Sequence, residues 1–254
     1  MAPCPSIRRT LPALVFAALW LGGCDSLPGK PTEADRFVLP SDVVDFDSLY
    51  GANCAGCHGA AGELGPARNL NDPLYLAVVS DDELRAIVAD GVPESRMPAF
   101  AERSGGTLTD HQVDVLVGEL RTRWGRPDGF AGVALPHYRE RGAVATGLAR
   151  PASAARGRAA YATYCRHCHG SDGSGGSEAR SIVDGSYLAL VSDQALRSAV
   201  IFGRTDLGMP DYREYEEGRP MSFQEIADVT AWMVAQRRPF PGQPYPEERA
   251  RTPR

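Results

Sequence analysis

The sequence predicts an all-α protein built from a tandem duplication, and three observations carry that expectation. No stretch alternates convincingly at a period of two, whereas apolar residues recur at helical spacing behind residues suited to N-caps. A segment of the first half also returns in the second: residues 75–88 and 187–200 agree at 9 of 14 positions. The repeated cysteines lie 111 residues apart and these helical segments 112, so the copies differ by one residue in a loop. Length and composition agree. A chain of 254 residues accommodates one or two domains, and 43% hydrophobic with 23% charged residues is neither a disordered nor a membrane composition. A net charge of −5 without a basic block argues against nucleic acid as a partner.

The chain opens with Arg8 and Arg9 before an apolar run over 11–21, too short to span a bilayer but suited to an export signal. The run ends in Leu21-Gly22-Gly23-Cys24, which resembles a bacterial lipobox, where the cysteine becomes the acylated N-terminus. An ordinary signal peptide cleaved nearby is the alternative. Residues 1–23 are therefore expected to be a lipoprotein signal and 24–45, with Pro28, Gly29, Pro31 and Pro40, a flexible tether spanning up to about 70 Å when stretched. The signal carries two arginines and no acid, so its removal makes the chain more acidic. Export and anchoring to the periplasmic face of a bacterial membrane follow as expectations.

With Cys4 in the signal and Cys24 the anchor, four cysteines remain, in two equal frames: Cys54-Ala55-Gly56-Cys57-His58 and Cys165-Arg166-His167-Cys168-His169. In an exported chain, Cys-x-x-Cys-His reads as a c-type haem attachment site. Two thiols about one helical turn apart form thioethers with the two vinyl groups, and the following imidazole reaches the iron. A four-thiol zinc site, a redox dithiol and two disulfides compete for the same cysteines. Zinc does not require a histidine after each second cysteine, and a redox dithiol requires a strand–helix context that is absent.

Helices are expected on both sides of each motif. A first helix carries Phe46, Leu49 and Tyr50, or Tyr161 and Tyr164, into the motif. The middle helix starts at Ser80, with Glu83 completing a capping box, and in the second copy at Ser192, where Ala195 replaces the glutamate. The last helix starts from Thr109 with Gln112, or Ser222 with Glu225. Behind these caps run the apolar stripes Val113, Leu116, Val117, Leu120 and Ile226, Val229, Met233. Each copy, near 85 residues, is too small to bury a large core alone.

The sixth ligand of each iron is sought among few candidates. Met97-Pro98 and Met209-Pro210 lie 39 and 40 residues beyond His58 and His169, each after a helix-ending glycine, Gly91 or Gly203. Met233 continues an apolar stripe and Met221 aligns with Leu108, so both read as core. His111 reads as a solvated residue in a helix's first turn, His137 lies in the linker, and His167 stands between paired cysteines.

Over about 46–125 and 156–238 the chain resembles two tandem class I cytochrome c domains, as in dihaem cytochromes c4 and related dihaem carriers. The residues that match are Cys54, Cys57, His58-Gly59 and Met97-Pro98 in one copy, and Cys165, Cys168, His169-Gly170 and Met209-Pro210 in the other. The resemblance implies two covalently attached haems c, held by Cys54, Cys57, Cys165 and Cys168, with His58/Met97 and His169/Met209 as axial pairs. It also implies a Gly-Pro carbonyl supporting the axial histidine. Gly65-Pro66 fits, but the second copy has Gly176-Ser177. Trp232 supplies a packing aromatic in the last helix where the first copy has Glu119, so the two haem environments are expected to differ. Linker 126–155 contributes Val133, Leu135 and Tyr138 for packing along a domain, and 239–254 forms a Pro-rich tail.

His/Met ligation leaves no open coordination position, so the expected role is single-electron transfer between respiratory partners, such as a quinol-oxidising complex or a terminal oxidase, and not catalysis. A dihaem peroxidase, a sulfur-compound dehydrogenase and a fixed haem subunit of a respiratory complex are the alternatives. Glu214, Glu216 and Glu217 form either a solvated loop or an acidic docking patch.

Overall fold

The computed structural model describes residues 37–93, 95–139 and 148–238. Cys24, the predicted signal, most of the tether, 140–147 of the linker and the tail lie outside the described residues. The chain divides into two compact units, Met1–Asp42 and Val43–Arg254. In the first, a 3-10 turn over Pro40–Asp42 is closed by the Asp42 N–H donating to the Leu39 carbonyl at 2.8 Å. Both copies of the repeat belong to the second.

Ten α-helices and no strands are found among the described residues, as the period-three-to-four pattern predicts. In the first copy, α1 (Phe46–Asn53) begins at Asp45, whose carboxylate accepts the Ser48 N–H at 2.8 Å. A separate turn, α2 (Ala55–His58), carries the Cys-x-x-Cys-His motif. Asp72 caps α3 (Pro73–Val78), Ser80 caps α4 (Asp81–Asp90) and Thr109 caps α5 (Asp110–Trp124). The second copy repeats the order as α6 (Ala154–Tyr164), α7 (Arg166–His169), α8 (Gly185–Leu190), α9 (Asp193–Phe202) and α10 (Phe223–Val234).

The boxes at Thr109/Gln112 and Ser222/Glu225 are complete, with side chain and backbone bonded reciprocally. The box expected at Ser80 is half formed. Ser80 Oγ accepts the Glu83 N–H at 3.2 Å, but the Glu83 carboxylate pairs with Arg139 of the linker instead of returning to the cap. A full positive charge outcompetes a backbone amide for a carboxylate.

The core follows the predicted stripes. Val113, Leu116, Val117 and Leu120 are buried in one copy, and Ile226, Val229 and Met233 in the other. Met221 and Leu108 are both buried and play the same part: their N–H groups donate to the carbonyls of Tyr212 (2.9 Å) and Phe100 (2.8 Å). The linker lies against both copies. Tyr138 packs edge-on to Tyr75 with ring centroids 6.1 Å apart, and its carbonyl accepts from Gln194 and Arg197 of α9. Leu135 packs on the core, whereas Val133 is exposed.

One expectation about packing is corrected. Glu119 is not the first copy's counterpart of Trp232; Trp124, at the end of α5, takes that place. Its indole stands edge-on to Phe46 (5.8 Å) and Tyr50 (5.4 Å), and a Cβ added at Gly62 would lie 2.7 Å from it. Trp232 packs on Tyr161 (4.4 Å) and lies 3.1 Å from a Cβ added at Gly173, the glycine equivalent to Gly62. Helix register alone hides this equivalence, because the two indoles approach from different turns of their helices.

Candidate metal centres

The two motifs are presented alike. α1 and α6 each bring a tyrosine four residues before the first cysteine, and its hydroxyl donates to the carbonyl of the glycine after the histidine: Tyr50 to Gly59 (2.8 Å) and Tyr161 to Gly170. Those glycines both hold φ of +83°, a left-handed turn that lets the chain leave the motif at once. The recurring tyrosine therefore clamps the exit of each motif.

Each imidazole has one nitrogen engaged. His58 Nδ1 bonds the Arg68 carbonyl at 2.7 Å, and His169 Nδ1 bonds the Arg180 carbonyl at 2.9 Å. A carbonyl accepts only, so each Nδ1 carries the proton and Nε2 is left with its lone pair for a metal. Burial, the largest influence, pushes the His58 pKa down and favours the neutral ring that ligation needs. The support expected from Gly65-Pro66 comes instead from Arg68 and Arg180. Gly65 serves differently: a Cβ there would stand 2.3 Å from the Cys57 carbonyl, so the loop lies directly on the motif backbone. Gly176 faces the Cys168 carbonyl in the same manner at 2.9 Å. The extra residue of the second copy therefore falls between Gly176 and Arg180, where a bridge joins Gly175 to Arg180.

None of the four motif cysteines is joined in a disulfide. Burial pushes the Cys54 thiol up to about 11 and the Cys165 thiol up to about 12. Cys168 is raised by the hydrogen bond it makes to Glu178 at 3.1 Å. Among the described residues no three His, Cys, Asp or Glu side chains gather as a metal-binding group, so the four thiols do not form a shared zinc site. Each pair instead stands beside its own carbonyl-held imidazole. That donor set fits a covalently attached haem, with two thiols for thioethers and one oriented Nε2 for iron.

The methionine loops are fastened to the helices before them. Gly91 ends α4 at φ +72° and Gly203 ends α9 at φ +63°. A Cβ on Gly91 would approach the Met97 carbonyl to 2.7 Å, and one on Gly203 would meet the Pro210 carbonyl at 2.1 Å. Glycine is required on both counts. The loop then satisfies the helix's last carbonyls: Phe100 N–H donates to Val88 (3.2 Å), and Tyr212 N–H to Ile201 (3.0 Å). Met97 and Met209 are half-buried at the core's edge. His111 and His137 are exposed, in the expected helix turn and linker.

Two arginines of the junction between the copies were not singled out by sequence. The Arg204 guanidinium donates to the Gly65 carbonyl at 2.8 Å and pairs with Asp206 at 2.9 Å, while Asp206 accepts the Leu64 N–H at 2.9 Å. The loop carrying Met209 is thus bonded to the loop lying on Cys57. Arg68 stacks over Phe202, with 4.9 Å from guanidinium carbon to ring centroid. Neither arginine belongs to a motif, so no local signal marks them. The acidic trio also looks different in space. Glu216 and Glu217 share an open groove of about 760 Å³ with Arg166, His167 and Arg219, so its charge is mixed.

The family model for "Cytochrome C oxidase, cbb3-type, subunit III" matches residues 42–118 and 152–233. No curated protein matches the chain. Among solved structures, a chain of the Kuenenia stuttgartiensis reducing HAO-like protein complex Kustc0457/Kustc0458 is similar at 19% identity and a TM-score of 0.42, over 80% of this chain and 100% of that one. Each family match encloses one Cys-x-x-Cys-His motif and its Met-Pro loop, and together they cover more than half of the sequence: the chain belongs to the cbb3-type cytochrome c oxidase subunit III family, as an electron-transfer c-type cytochrome with two tandem class I domains and two covalent haems c.

Proposed function

We propose that the chain is a dihaem carrier that moves single electrons between respiratory partners. In this reading Cys54 and Cys57 hold one haem and Cys165 and Cys168 the other, with His58/Met97 and His169/Met209 as axial pairs. The observation that supports it most is the double occurrence of one arrangement: an imidazole pinned through Nδ1 to a carbonyl, and a Met-Pro loop fastened to a helix-ending glycine. Bound haem supplies one-electron chemistry between ferrous and ferric iron without bond breaking. The protein's part is to fix the ligands, so that little reorganises when charge changes. Tyr50 and Tyr161 clamp the motif exits, Arg68 and Arg180 orient the imidazoles, and the apolar stripes exclude water. Carbon monoxide tests the saturated ligand set: neither native ferrous haem should bind it at equilibrium, and binding to either contradicts the axial assignment.

A fixed haem subunit of an oxidase complex is the second reading, favoured by the family match. Co-purification with a membrane enzyme after mild detergent extraction separates it from a free shuttle. No helix among the described residues is long and apolar enough to cross a membrane. Attachment through an acylated Cys24 on the periplasmic face remains our proposal for both readings, supported by the lipobox-like Leu21-Gly22-Gly23-Cys24. Labelled fatty acid should enter the wild-type protein and not Cys24→Ala; equal labelling of both rules the anchor out.

A further inference from the structure

The equivalent helices α3 and α8 end alike and are covered differently. Arg121 of α5 pairs with Asp81 at 2.7 Å and donates to the Val79 carbonyl, clamping the chain at the end of α3. Arg237, just past α10, does the same at the end of α8: it pairs with Asp193 and donates to the carbonyls of Val191 and, at 3.0 Å, Leu188. Val191 and Asp193 are the counterparts of Val79 and Asp81, so the chain leaves both copies over the same place.

In the first copy the departing chain then covers α3. A 3-10 turn over Pro127–Phe130 lies against that helix, Phe130 packs at the edge of the core, and Tyr138 stands edge-on to Tyr75. Tyr75 is left only 3% exposed, and Val78 is half-buried. Their counterparts on one face of α8, Tyr187 and Leu190, are 36% and 63% exposed. Among the described residues no ring stands against Tyr187 as Tyr138 stands against Tyr75.

The sequence beyond Arg237 repeats the covering segment in shorter form. Arg126-Pro127, Phe130-x-Gly132, Pro136, Tyr138, Glu140 and Arg141 return in the same order as Arg238-Pro239, Phe240-x-Gly242, Pro244, Tyr245, Glu248 and Arg249. A paired exchange supports the match. Arg139, which follows Tyr138, pairs with Glu83 of α4. In the second copy Pro246 follows Tyr245 and Ala195 stands where Glu83 does, so both members of the ion pair are replaced together. Reach is sufficient: the eight steps from Arg237 to Tyr245 span up to about 28 Å, against about 9 Å for the length of α8. Pro239, Pro241, Pro244 and Pro246 already restrict the backbone, which lowers the entropy lost on docking.

We infer that residues 239–246 fold back over α8 as a strap, with Phe240 and Tyr245 covering Tyr187 and Leu190 as Phe130 and Tyr138 cover the first copy. The duplication then includes the covering segment, which runs on as the linker after one copy and closes the chain after the other. This concerns the scaffold and does not depend on the axial ligands proposed above.

Hydrogen exchange with peptide resolution tests it on the haem-loaded protein. Ending the chain at Arg238 should speed exchange of 185–191 about tenfold, and Tyr245→Ala in the full chain about threefold, while α3 exchanges as in wild type. The reciprocal variant Leu190→Asp should speed exchange of 239–249 about threefold or more. Equal exchange of 185–191 with and without the tail overturns the inference. It is equally overturned if slow exchange there survives loss of the tail and strengthens with protein concentration, because a second copy then covers the face. If the shortened chain does not accumulate with two haems, Tyr245→Ala and Leu190→Asp decide: wild-type exchange of both segments in both variants overturns the inference.

Discussion

The two copies hold their histidines and methionines in the same way and pack their helices in different ways. The residue that begins α1 is Phe46, and its equivalent in α6 is Gly157. With a phenyl ring there, α5 is held off, and Trp124 reaches back from the helix end to cover Phe46, Tyr50 and Gly62. With glycine there, α10 comes so close that a Cβ on Gly157 would lie 1.9 Å from the Asp228 carbonyl and 2.7 Å from the Trp232 Cβ. Trp232 then covers Tyr161 and Gly173 from the middle of its helix. The ion pairs at the crossings differ as well: the first has an exposed one, Arg123 of α5 with Asp47 of α1 at 3.0 Å, whereas in the second Asp228, buried in α10, takes a fork from Arg156 at 2.8 and 2.9 Å and the Ser153 N–H at 2.7 Å. The geometry around the histidines and methionines thus survives exchange of the scaffold behind it, because a tyrosine clamp, a carbonyl and a glycine-ended helix fix these segments locally.

Asp228→Ala should break this difference most strongly. It strands Arg156, and although that side chain is a third exposed, the loss should be about 3 kcal/mol, confined to the second copy. Hydrogen exchange with peptide resolution will show whether protection falls in α6 and α10 while α1 and α5 keep theirs. Trp124→Ala is the complementary lesion, expected to cost the first copy about 2–3 kcal/mol, less than for a fully buried indole. If the second copy loses as much protection as the first, the packing of the two is not independent. Gly157→Ala comes next, at roughly 1–2 kcal/mol, because the methyl group forces α10 away from α6. The same change at Gly118, where an added Cβ meets nothing within 4 Å, should be neutral or slightly stabilising.

How much of this was legible depended on the range of the interaction. Local signals were clear: Cys-x-x-Cys-His, the caps at Ser192, Thr109 and Ser222, the glycines before Met97 and Met209, and the stripes of the last helices. Glu83 was misassigned because its competing partner, Arg139, lies 56 residues away. Trp124 was missed because alignment along the helix pairs Glu119 with Trp232, and only the Phe46-to-Gly157 exchange reveals that the indoles come from different turns. Arg68 and Arg204 were invisible for the same reason: their partners, Phe202 and Gly65, are brought near only when the copies pack. The carbonyl on His58 was placed near Gly65-Pro66 by resemblance, whereas the loop folds so that Arg68 presents it.

The junction gives the smallest of these effects and a pH signature. The Arg204 hydrogen bond, as the largest influence, holds the Asp206 carboxyl well below its ordinary value of 3.8. A folded pKa below the unfolded one contributes stability that is present above the unfolded value and lost as pH falls through the folded one. Asp72 behaves oppositely, since burial raises it and its ionised form is the one disfavoured. Thermal unfolding followed from neutral pH into acid should therefore show a shallower acid decline in Asp206→Asn than in wild type. Equal slopes would contradict the assigned role of Asp206.

The axial assignment is the centre of the account, and potentiometric optical titration of Met97→Ala and Met209→Ala addresses it most directly. Each variant should lower the potential of one haem, a different one in each case, and abolish that haem's share of the far-red methionine absorption while its neighbour titrates nearly as in wild type. Two variants that both titrate like the wild-type protein, with the absorption intact, would show that neither methionine ligates iron.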